Sequence, residues 1–598
     1  MAPSKRPTCR TGPTRPTSSL NPKPCTVDPK PLPMTPEEMR VRGWDQLDIL
    51  LITGDAYVDH PSFGAALLGR VLEAAGYRVG IIAQPRWETP EDFTRLGRPR
   101  LFAGITAGAL DSMLAHYTAF RKLRHDDAYT PGNIHGARPN RACIVYTGIV
   151  RNAFPGLPVI LGGIEASMRR ATHYDFWTEK LRRSILLDSK ADLVVYGMGE
   201  KAVLEIAKRL DAREEYAKEL LWGVPGTAFA CSTKTDPAQY PCFPDPGELL
   251  RLPSHEAILA DAKALMTATL ALELQVHQGT RWAVQEAGTQ QVFFTPPAAP
   301  MESAELDALY ALPFTRRPHP SYRKPIPAAD MIQFSITAHR GCAAGCTFCA
   351  ISQHQGRCIQ SRSAASVLDE ARTFTRHPDW KGSISDVGGP TANMWGARCA
   401  ADPATCRRTD CLFPRPCPHF KTDDAALVGL LHQVAALAGV KHVRVASGIR
   451  YDMGDTGNTY LRALIREFVG GQLKVAPEHL CDNVLRLMRK PSRAAFEEFL
   501  QLFEKESRRA GKEQYVVPYL ISAFPGCTDE DMRALAEWLK KRNWRPRQVQ
   551  CFIPTPGTVA AAMFHAGIDT EGRPIYVARS DRDRMHQHRI LVPEGKES

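Results

Sequence analysis

The sequence has no apolar run long enough to cross a membrane. No stretch of 18 or more apolar residues occurs, whereas a spanning helix needs about 20. No apolar segment follows the first charges at the N-terminus, which argues against a secretory signal. Hydrophobic content of 43% and charged content of 23% are ordinary for a globular protein. We therefore expect a cytoplasmic protein without a membrane partner.

Two nucleotide-related signals are also missing. No GxGxxG fingerprint occurs, so a nicotinamide cofactor is poorly supported. No recognisable RNA-binding module follows the α/β core predicted for residues 331–560. The net charge is +12, from 76 basic and 64 acidic residues, and such a balance permits nucleic-acid contact. Nucleic acid is therefore an open partner that no motif supports.

Cysteine is scarce overall but concentrated in one region. The chain has 16 cysteines among 598 residues, and eight of them fall between positions 342 and 417. A long chain without an export signal does not fit a disulfide scaffold. The clustering favours metal ligation in a reducing compartment.

The first half of the chain predicts a parallel sheet. Residues 1–43 form a basic segment rich in Pro and Ser, which we expect to be disordered. From residue 44, short β-branched runs alternate with helical patterns, and glycines end several of the runs; among the runs are DILLITG (48–54), RVGIIAQ (78–84) and ACIVYTGI (142–149). This alternation predicts a doubly wound α/β domain over 44–230, with its ligand rim at the strand ends.

The second half predicts a partial barrel. Residues 231–330 suggest a helical and Pro-rich connector, with one long helix over 255–278. From residue 331 the alternation of strands and helices resumes. About six β/α units over 331–560, interrupted by a Cys-rich insertion at 397–420, predict a partial (β/α)6 barrel with its site at the carboxyl ends of the strands. Residues 561–598 remain as a C-terminal extension.

Three cysteines crowd the loop HRGCAAGCTFCAI (339–351). Cys342, Cys346 and Cys349 have the spacing Cys-x3-Cys-x2-Cys, directly after a predicted strand. Structural zinc and [4Fe–4S] clusters both normally take four protein ligands. Three thiols would hold three irons of such a cluster and leave the fourth iron open for substrate chemistry. The alternative is a zinc loop that borrows a distant cysteine.

The Cys-x3-Cys-x-aromatic-Cys pattern, with Phe348 as the aromatic residue, resembles the radical S-adenosylmethionine (SAM) superfamily. Together with GDAYVDHPSFG (54–64), LGGIEASMRR (161–170), YGMGE (196–200) and KVAPEH (474–479), it looks like the YgiQ family of radical SAM proteins. The resemblance spans roughly 44–590. It implies a [4Fe–4S] cluster on the three cysteines and SAM on the open iron. It further implies reductive cleavage to a 5′-deoxyadenosyl radical by a reductant such as flavodoxin or ferredoxin, with the substrate unassigned.

The resemblance also implies SAM contacts. The family's motif for the SAM amino group corresponds to Gly388, Gly389 and Pro390; its usual last residue is Glu, so the proline favours contact through main-chain carbonyls. Gly526, in SAFPGCTDEDM (522–532), would lie beside the adenine.

Polar residues at other predicted strand ends face the same mouth. Ser447, Arg450 and Glu478 could meet the ribose or the carboxylate of SAM, although turn chemistry and ordinary salt bridges are equally consistent with them. Arg357 and Arg362 follow the cysteine loop and could contact phosphate or substrate, or form surface ion pairs.

A second cysteine set lies in CAADPATCRRTDCLFPRPC. Its members, at spacings x6, x4 and x5, are Cys399, Cys406, Cys411 and Cys417. Four thiols could close a zinc site or hold a second iron–sulfur cluster. A metal would order a segment that has few apolar anchors. The alternative is uncoordinated cysteines in a surface insertion.

The N-terminal domain resembles the cobalamin-binding-like domains that precede many radical SAM cores. Those that bind cobalamin can ligate cobalt through a D-x-H-x-x-G loop, whereas here Asp59 and His60 are adjacent, a different spacing. This spacing therefore argues against bound cobalamin. His60, like the strand-end residues Glu165 and Glu200, could instead cap a turn or line a cleft between domains.

These observations favour an enzyme that generates the deoxyadenosyl radical, without assigning any catalytic side chain. Two alternatives stay open. One is a non-enzymatic iron–sulfur protein that senses redox state and binds SAM only as a ligand. The other is a radical SAM enzyme that modifies RNA.

Overall fold

The computed structural model describes residues 29–236, 239–546 and 548–592. Most of the predicted disordered tail, residues 1–28, lies outside this range, but the prediction is wrong for 29–43. Helix α1 (Pro36–Val41) begins with a capping box between Thr35 and Glu38. Leu32 is fully buried, and its N–H donates to the Tyr57 hydroxyl at 3.0 Å. A cap and an apolar anchor therefore order the end of a segment whose composition predicts disorder.

The first half of the described chain alternates between strands and helices. Its strands are β1 (Ile49–Thr53), β2 (Val79–Ala83), β3 (Phe102–Thr106), β4 (Val159–Leu161), β5 (His173–Asp175), β6 (Lys180–Arg182), β7 (Leu193–Val195), β8 (Thr227–Ser232), β9 (Leu250–Arg251), β10 (Ala283–Ala287) and β11 (Gln290–Phe294). Its further helices are α2 (Gly64–Ala74), α3 (Glu91–Thr94), α4 (Ser112–His116), α5 (Ala142–Ala153), α6 (Gly163–Met168), α7 (Ile185–Ser189), α8 (Glu200–Asp211), α9 (His255–Ala260), α10 (Ala262–Gln278), α11 (Ser303–Tyr310) and α12 (Pro327–Ile332).

The predicted doubly wound sheet is confirmed. Strands β2, β1, β3, β4 and β7 lie side by side in that order and run parallel, which is the flavodoxin-like order. The segment ACIVYTGI, predicted as a strand, is helix α5 instead. Its buried residues recur at helical spacing, at Ala142, Cys143, Tyr146 and Val150. A short apolar run does not distinguish a buried strand from a buried helix.

The predicted connector over 231–330 belongs to both halves of the molecule. Strands β8, β11, β10 and β9 continue the N-terminal sheet beyond β7. The single helix predicted for 255–278 is two helices, because the Asp261 side chain caps α10 by accepting the Lys263 N–H. Leu265 and Met266 of α10 pack in the core of the second half. A boundary at residue 230 therefore cuts through one sheet.

The second half carries the remaining elements. Its strands are β12 (Ser335–Thr337), β13 (His339–Arg340), β14 (Gln360–Ser361), β15 (Ser383–Ile384), β16 (Asp386–Gly388), β17 (Arg398–Cys399), β18 (Phe420–Lys421), β19 (His442–Val443), β20 (Gln472–Glu478), β21 (Tyr515–Ser522) and β22 (Gln548–Cys551). Its helices are α13 (Ile351–Gln355), α14 (Ala364–Phe374), α15 (Asp424–Ala435), α16 (Thr459–Ala463), α17 (Asp482–Met488), α18 (Arg493–Arg509), α19 (Asp529–Lys541), α20 (Val559–Ala566) and α21 (Asp581–Leu591).

The barrel strands follow one another in chain order. The pairs β12–β16, β15–β19, β20–β21 and β21–β22 are all parallel, and helices on the outside separate most of them. Their inward residues share one core with the helices that cover them. This confirms the predicted partial barrel, whose strand ends form the mouth at which ligands bind. No helix of the described ranges is both long and apolar enough to span a bilayer.

The predicted C-terminal extension is part of this barrel as far as residue 592. Met563 and Phe564 of α20 lie in the barrel core. Arg584 of α21 is fully buried and donates to the Phe552 carbonyl at 2.6 Å. The charged composition of this segment suggested a peripheral extension, because its charged side chains alternate with apolar ones that are buried.

Candidate functional site

The cluster loop (residues 339–351) is fixed by neighbours on several sides. The Thr347 N–H and hydroxyl donate to the carbonyls of Met488 and Leu487, at 3.2 and 2.8 Å. The Gly345 N–H donates to the Asp410 carboxylate at 2.7 Å. These bonds tie the loop to helix α17 and to the Cys-rich insertion, so its three thiols are held in place by backbone contacts.

Two glycines of the cluster loop are required by the closeness of other backbone. A Cβ on Gly341, whose φ is +84°, would lie 2.1 Å from the Cys358 carbonyl oxygen. A Cβ on Gly345 would lie 2.1 Å from the Thr409 carbonyl oxygen. Since real Cβ atoms do not approach other atoms so closely, any side chain at either position would push the loop away from its support.

Cys342, Cys346 and Cys349 are free, half-buried thiols. Burial raises the pKa of Cys346 to about 11 and that of Cys349 to about 12. The nearby Lys490 ammonium and Arg450 guanidinium act in the opposite direction at Cys346, and the Arg450 Nη1 lies 3.9 Å from the Cys346 sulfur. Bound iron would displace the thiol protons, and these two cations would then face a negatively charged cluster.

The donor set fits a cluster better than a single ion. Within the residues that the structure describes, no three His, Cys, Asp or Glu side chains are placed to hold one metal ion. A [4Fe–4S] cluster is held by cysteine thiolates. Because each thiolate binds a different iron, the three thiols of this loop can serve a cluster without meeting at one point.

The Gly-Gly-Pro motif ends strand β16 next to the cluster loop. A Cβ on Gly389 would lie 2.5 Å from the Cε1 atom of His339, so the imidazole packs directly against the motif. Burial lowers the pKa of His339 to about 4, and the ring is therefore neutral at physiological pH. The sequence analysis gave His339 no role. Its position at the start of the cysteine motif was the available signal.

Ser447 supports the same motif from the other side. Its hydroxyl donates to the Asp386 carboxylate, which also accepts the N–H groups of Ala446 and Ser447 at 2.8 and 3.1 Å. A Cβ on Gly388 would lie 2.5 Å from the Ser447 hydroxyl oxygen. The structure thus engages Ser447 with Asp386, and its predicted contact with the ribose stays a prediction.

Phe348 and the AFPG strand end share one wall of the mouth. Phe348 contacts Phe524 edge to face, with ring centroids 6.2 Å apart. Gly526 has φ +90°, and a Cβ there would lie 2.1 Å from the Leu487 Cδ1 atom. The Leu487 carbonyl also accepts the Thr347 hydroxyl. The aromatic residue of the cysteine motif and the predicted adenine-side motif are therefore brought together.

Two predicted polar contacts are engaged in ion pairs. Arg450 donates two hydrogen bonds to Asp452, at 2.8 and 2.7 Å. Glu478 is buried, has φ +67° at an irregularity of strand β20, and lies 3.7 Å from the Lys490 ammonium. Burial raises the pKa of Glu478. In this structure both residues form the ion pairs that the alternative interpretation expected, and Lys490 is a buried cation that the sequence analysis missed.

The rim of the N-terminal sheet lies directly on the cluster loop. Arg340 and Glu200 form a buried ion pair at 2.7 Å, and the Arg340 Nε donates to the Tyr310 hydroxyl. The His354 Nδ1 lies 3.0 Å from the Ser167 hydroxyl, in the segment that follows strand β4. Glu200 therefore lies between the two domains, as one of its sequence interpretations allowed, and its partner is Arg340 of the cluster loop.

Glu165 does not line this contact. It is buried and accepts the N–H groups of Ser112 and Cys143, at 2.8 and 3.1 Å. It therefore caps local structure inside the N-terminal domain, as one of its two sequence interpretations allowed.

Neither of the arginines after the loop forms a surface ion pair. Arg362 is buried beside Glu370, with which it forms a close ion pair, and donates to the Thr337 carbonyl at 3.1 Å. It lines a cavity of about 1050 Å³ between α11 and α14. Arg357 is buried near His277 and Cys411.

The crevice of the N-terminal sheet, beyond β1 and β3, is filled by the chain itself. Asp55 forms a buried ion pair with Arg138 at 2.8 Å, and Arg138 also donates to Asp127 at 2.7 Å. His60 is buried; its Nδ1 accepts the Ser62 N–H at 3.1 Å, and its Nε2 lies 2.8 Å from the Arg316 guanidinium. These residues do not fit a cobalamin whose cobalt His60 would bind.

The second cysteine set is only partly gathered. Cys411 and Cys417 are buried, Cys406 is half-buried and Cys399 is exposed. Cys411 and Cys417 pack in one small apolar cluster with Ala343 of the cluster loop.

Comparison with known proteins agrees with this fold. Residues 31–335 match the family model described as Radical SAM N-terminal, and residues 336–539 match that of the Radical SAM superfamily. The parallel barrel with its cysteine loop therefore defines a radical SAM protein.

Relatives narrow the assignment. A UPF0313 protein of Geobacter sulfurreducens is 49% identical over 565 residues, covering 94% of this chain and 92% of the relative. The UPF0313 protein YgiQ of Escherichia coli (strain K12) is 44% identical over 616 residues, covering 94% and 83%. The chain belongs to the UPF0313 family, which includes YgiQ.

Solved structures resemble the chain only distantly. The radical S-adenosylmethionine methyltransferase TsrM from Kitasatospora setae, with cobalamin and a [4Fe-4S] cluster bound, is 14% identical with a TM-score of 0.47, covering 85% of this chain and 76% of TsrM. The cobalamin-dependent radical enzyme OxsB is 10% identical with a TM-score of 0.45, covering 92% and 56%. Likeness at this distance carries no inference about cobalamin in this chain.

Proposed function

We propose that this chain is an enzyme that cleaves SAM reductively at a [4Fe–4S] cluster bound by Cys342, Cys346 and Cys349. When bound, the cluster supplies the electron that breaks a carbon–sulfur bond of SAM, giving methionine and a 5′-deoxyadenosyl radical. The observation that carries the proposal is the geometry of the loop. Three free thiols lie on a backbone that tolerates no side chain at two glycines, beside the Gly-Gly-Pro strand end.

Charged residues around the loop suit this chemistry. Arg450 lies 3.9 Å from the Cys346 sulfur, and Lys490 is buried beside the same thiols. Two cations in a region of low dielectric constant stabilise the added negative charge of a reduced cluster. They would also attract the carboxylate of SAM.

The chain's own backbone would recognise the amino group of SAM. Pro390 offers neither a side-chain acceptor nor an N–H group at the position where the family usually has Glu. Main-chain carbonyls of the motif are the remaining acceptors. The His339 ring, which stays neutral, holds Gly389 in position and takes no proton from the amino group of SAM.

The N-terminal domain would exclude water from the site. Its rim contacts the cluster loop through Glu200 and Arg340. It also approaches the segment before α20, where a Cβ on Gly557 would lie 2.7 Å from the Met168 carbonyl oxygen. A radical must be shielded from solvent and from side reactions. We place the substrate, whose identity is open, between this rim and the barrel mouth, with a flavodoxin or ferredoxin as electron donor in the cytoplasm.

The test compares wild-type protein with Cys346→Ala after anaerobic reconstitution with iron and sulfide. With a chemical reductant and SAM, the wild type should form 5′-deoxyadenosine, measured by mass spectrometry, and the variant should form none above background. Cys231→Ala, which removes a buried thiol of the N-terminal sheet, is the matched control and should keep the activity. Retained activity in Cys346→Ala, or binding of SAM without cleavage by the wild type, would contradict the proposal.

We propose that this activity needs no cobalamin, because His60 and the crevice beyond β1 and β3 are already occupied by side chains. Protein purified from cells supplied with hydroxocobalamin should lack the visible absorption of a corrinoid. Stoichiometric corrinoid in such protein would overturn this part of the proposal.

A further inference from the structure

The Cys-rich insertion leaves the barrel after Met394 and returns before α15. Its base is a short antiparallel pair in which Cys399 of β17 faces Phe420 of β18. Between these two residues the described chain forms only turns and bends. All four cysteines of the second set lie within this insertion, so its ends bring Cys399 close to the turn that contains Cys417, whose carbonyl accepts the Phe420 N–H.

Within the insertion itself, one arginine and one leucine make several of the ordering contacts. Arg408 donates to the carbonyls of Asp410, Phe413 and Arg415, at 3.0 to 3.1 Å, and Leu412 is the large aliphatic residue that it buries. Fixing some twenty residues costs conformational entropy, and a bound metal would help to offset that cost.

The buried part of the insertion docks on the cluster loop. The Cys411 N–H donates to the Ala343 carbonyl at 3.1 Å, and the Cys417 N–H donates to the Cys411 carbonyl at 2.7 Å. The Asp410 carboxylate accepts the Gly345 N–H at 2.7 Å. The backbone therefore places Cys411 and Cys417 of the second set directly against the loop that carries the first set.

Arg357 supplies an independent observation. Only 7% of it is exposed, and its Nε and Nη1 have no hydrogen-bond partner among the residues that the structure describes. Its Nη2 lies 3.0 Å from the His277 Nε2 and 3.7 Å from the Cys411 sulfur. No carboxylate of the described chain pairs with this guanidinium. Burying a cation without an anion costs free energy. The Arg357 guanidinium lies beside the Cys411 thiol.

We propose that Cys399, Cys406, Cys411 and Cys417 bind a second iron–sulfur cluster, and that Arg357 pairs with its negative charge. Four thiolates around iron and sulfide give a net anion in the position that Arg357 faces. Zinc sites typically use closely spaced Cys-x2–4-Cys pairs, whereas of the spacings x6, x4 and x5 here only the middle one falls in that range.

The test removes the first cluster and asks whether iron remains. The triple variant Cys342→Ala, Cys346→Ala, Cys349→Ala is reconstituted anaerobically and assayed for iron and sulfide. It should retain about four irons and four sulfides, half the wild-type content, with the Mössbauer signature of a [4Fe–4S] cluster. Because this variant cannot cleave SAM under the proposed function, the result is independent of that function.

Single substitutions in the triple variant identify the ligands. Adding Cys406→Ala, which changes a half-buried thiol with little core packing, should abolish the residual cluster while circular dichroism stays unchanged. Adding Cys242→Ala is the matched control: Cys242 is likewise a half-buried thiol, but it packs in the N-terminal domain, and its loss should leave the iron in place. Adding Arg357→Gln should keep the iron but shift the midpoint potential to a more negative value.

The outcomes separate the alternatives. An iron-free triple variant with native circular dichroism overturns the proposal, as does one equivalent of zinc in place of iron. Retention of the residual cluster in the Cys406→Ala background overturns the ligand assignment.

Discussion

At the scale of single residues, the site depends on places where a hydrogen atom is the only side chain that fits. Gly341 and Gly345 let other backbone approach the cluster loop, and Gly389 lets the His339 ring lie against the Gly-Gly-Pro motif. Each contact fixes a thiol or a carbonyl relative to its neighbours. The site therefore requires these glycines as well as the three cysteines.

Gly389→Ala should weaken SAM binding without removing the cluster. The new Cβ would lie 2.5 to 2.8 Å from three atoms of the His339 ring, and relief of such overpacking costs roughly 1–3 kcal/mol. If SAM binding bears that cost, the dissociation constant should rise by about 5- to 150-fold, measured by equilibrium binding to reconstituted protein.

Gly429→Ala is the control for that substitution. Gly429 lies in helix α15 with nothing within 4 Å of an added Cβ, so alanine should leave SAM binding unchanged and stabilise the helix by up to about 1 kcal/mol. Equal affinity in Gly389→Ala and wild type would show that His339 does not buttress the motif.

At the scale of elements, the cluster loop is held between the N-terminal rim and helix α17. Helix α8 begins with Glu200, which pairs with Arg340, and helix α17 ends just before Arg489, which donates to the Gly345 carbonyl and pairs with Glu273 of α10. Two buried ion pairs, both reaching from the first half of the chain, thus fix the loop that carries the cysteines.

Glu200→Gln should destabilise this arrangement. It leaves the buried Arg340 guanidinium with the Tyr310 hydroxyl as its remaining side-chain hydrogen-bond partner, and breaking a buried pair costs roughly 3–5 kcal/mol. We expect a lower thermal unfolding midpoint and a lower iron content after reconstitution.

Glu305→Gln provides the comparison. Glu305 pairs with Lys201 one residue along α8, but the two side chains are 46% and 35% exposed, and an exposed pair contributes about 1 kcal/mol or less. Equal losses in the two variants would argue against a special role for the buried bridge.

The elements also show what the sequence can and cannot predict. The cysteine spacing and the strand-end motifs are local patterns, and they predicted the cluster loop, which contains Phe348, and the strand end at Gly526. Helix α5 was missed because a short apolar run is compatible with both a strand and a helix. The extension of the sheet by β9 to β11 depends on contacts with distant segments, which no local pattern reveals. His339 stands at the start of the cysteine motif, but its packing against Gly389, like the burial of Lys490, follows from contacts across the barrel.

At the scale of the whole molecule, the two halves are not independent. The family models divide the chain at residue 335, but helix α10, which precedes that point, packs in the barrel core through Leu265 and Met266. Both side chains are at least 96% buried. Separating the halves would expose an apolar face that the first half cannot cover.

A fragment of residues 1–335 should therefore self-associate. Exposing Leu265 and Met266 costs about 1.5–3 kcal/mol for each side chain, which size-exclusion chromatography should reveal as oligomers or aggregate. The same fragment with Leu265→Gln and Met266→Gln should be closer to monomeric. A monodisperse unmodified fragment with full helical content would show that α10 does not need the barrel.

The central claim is that the cysteine loop holds an iron cluster with one iron free to bind SAM. Electron paramagnetic resonance of the anaerobically reconstituted, reduced protein tests it most directly, before and after SAM is added. We predict the signal of a reduced [4Fe–4S] cluster, assigned to this loop by its loss in Cys346→Ala, with g-values that shift when SAM binds. A loop that takes up no iron, or a signal that SAM leaves unchanged, would contradict the account.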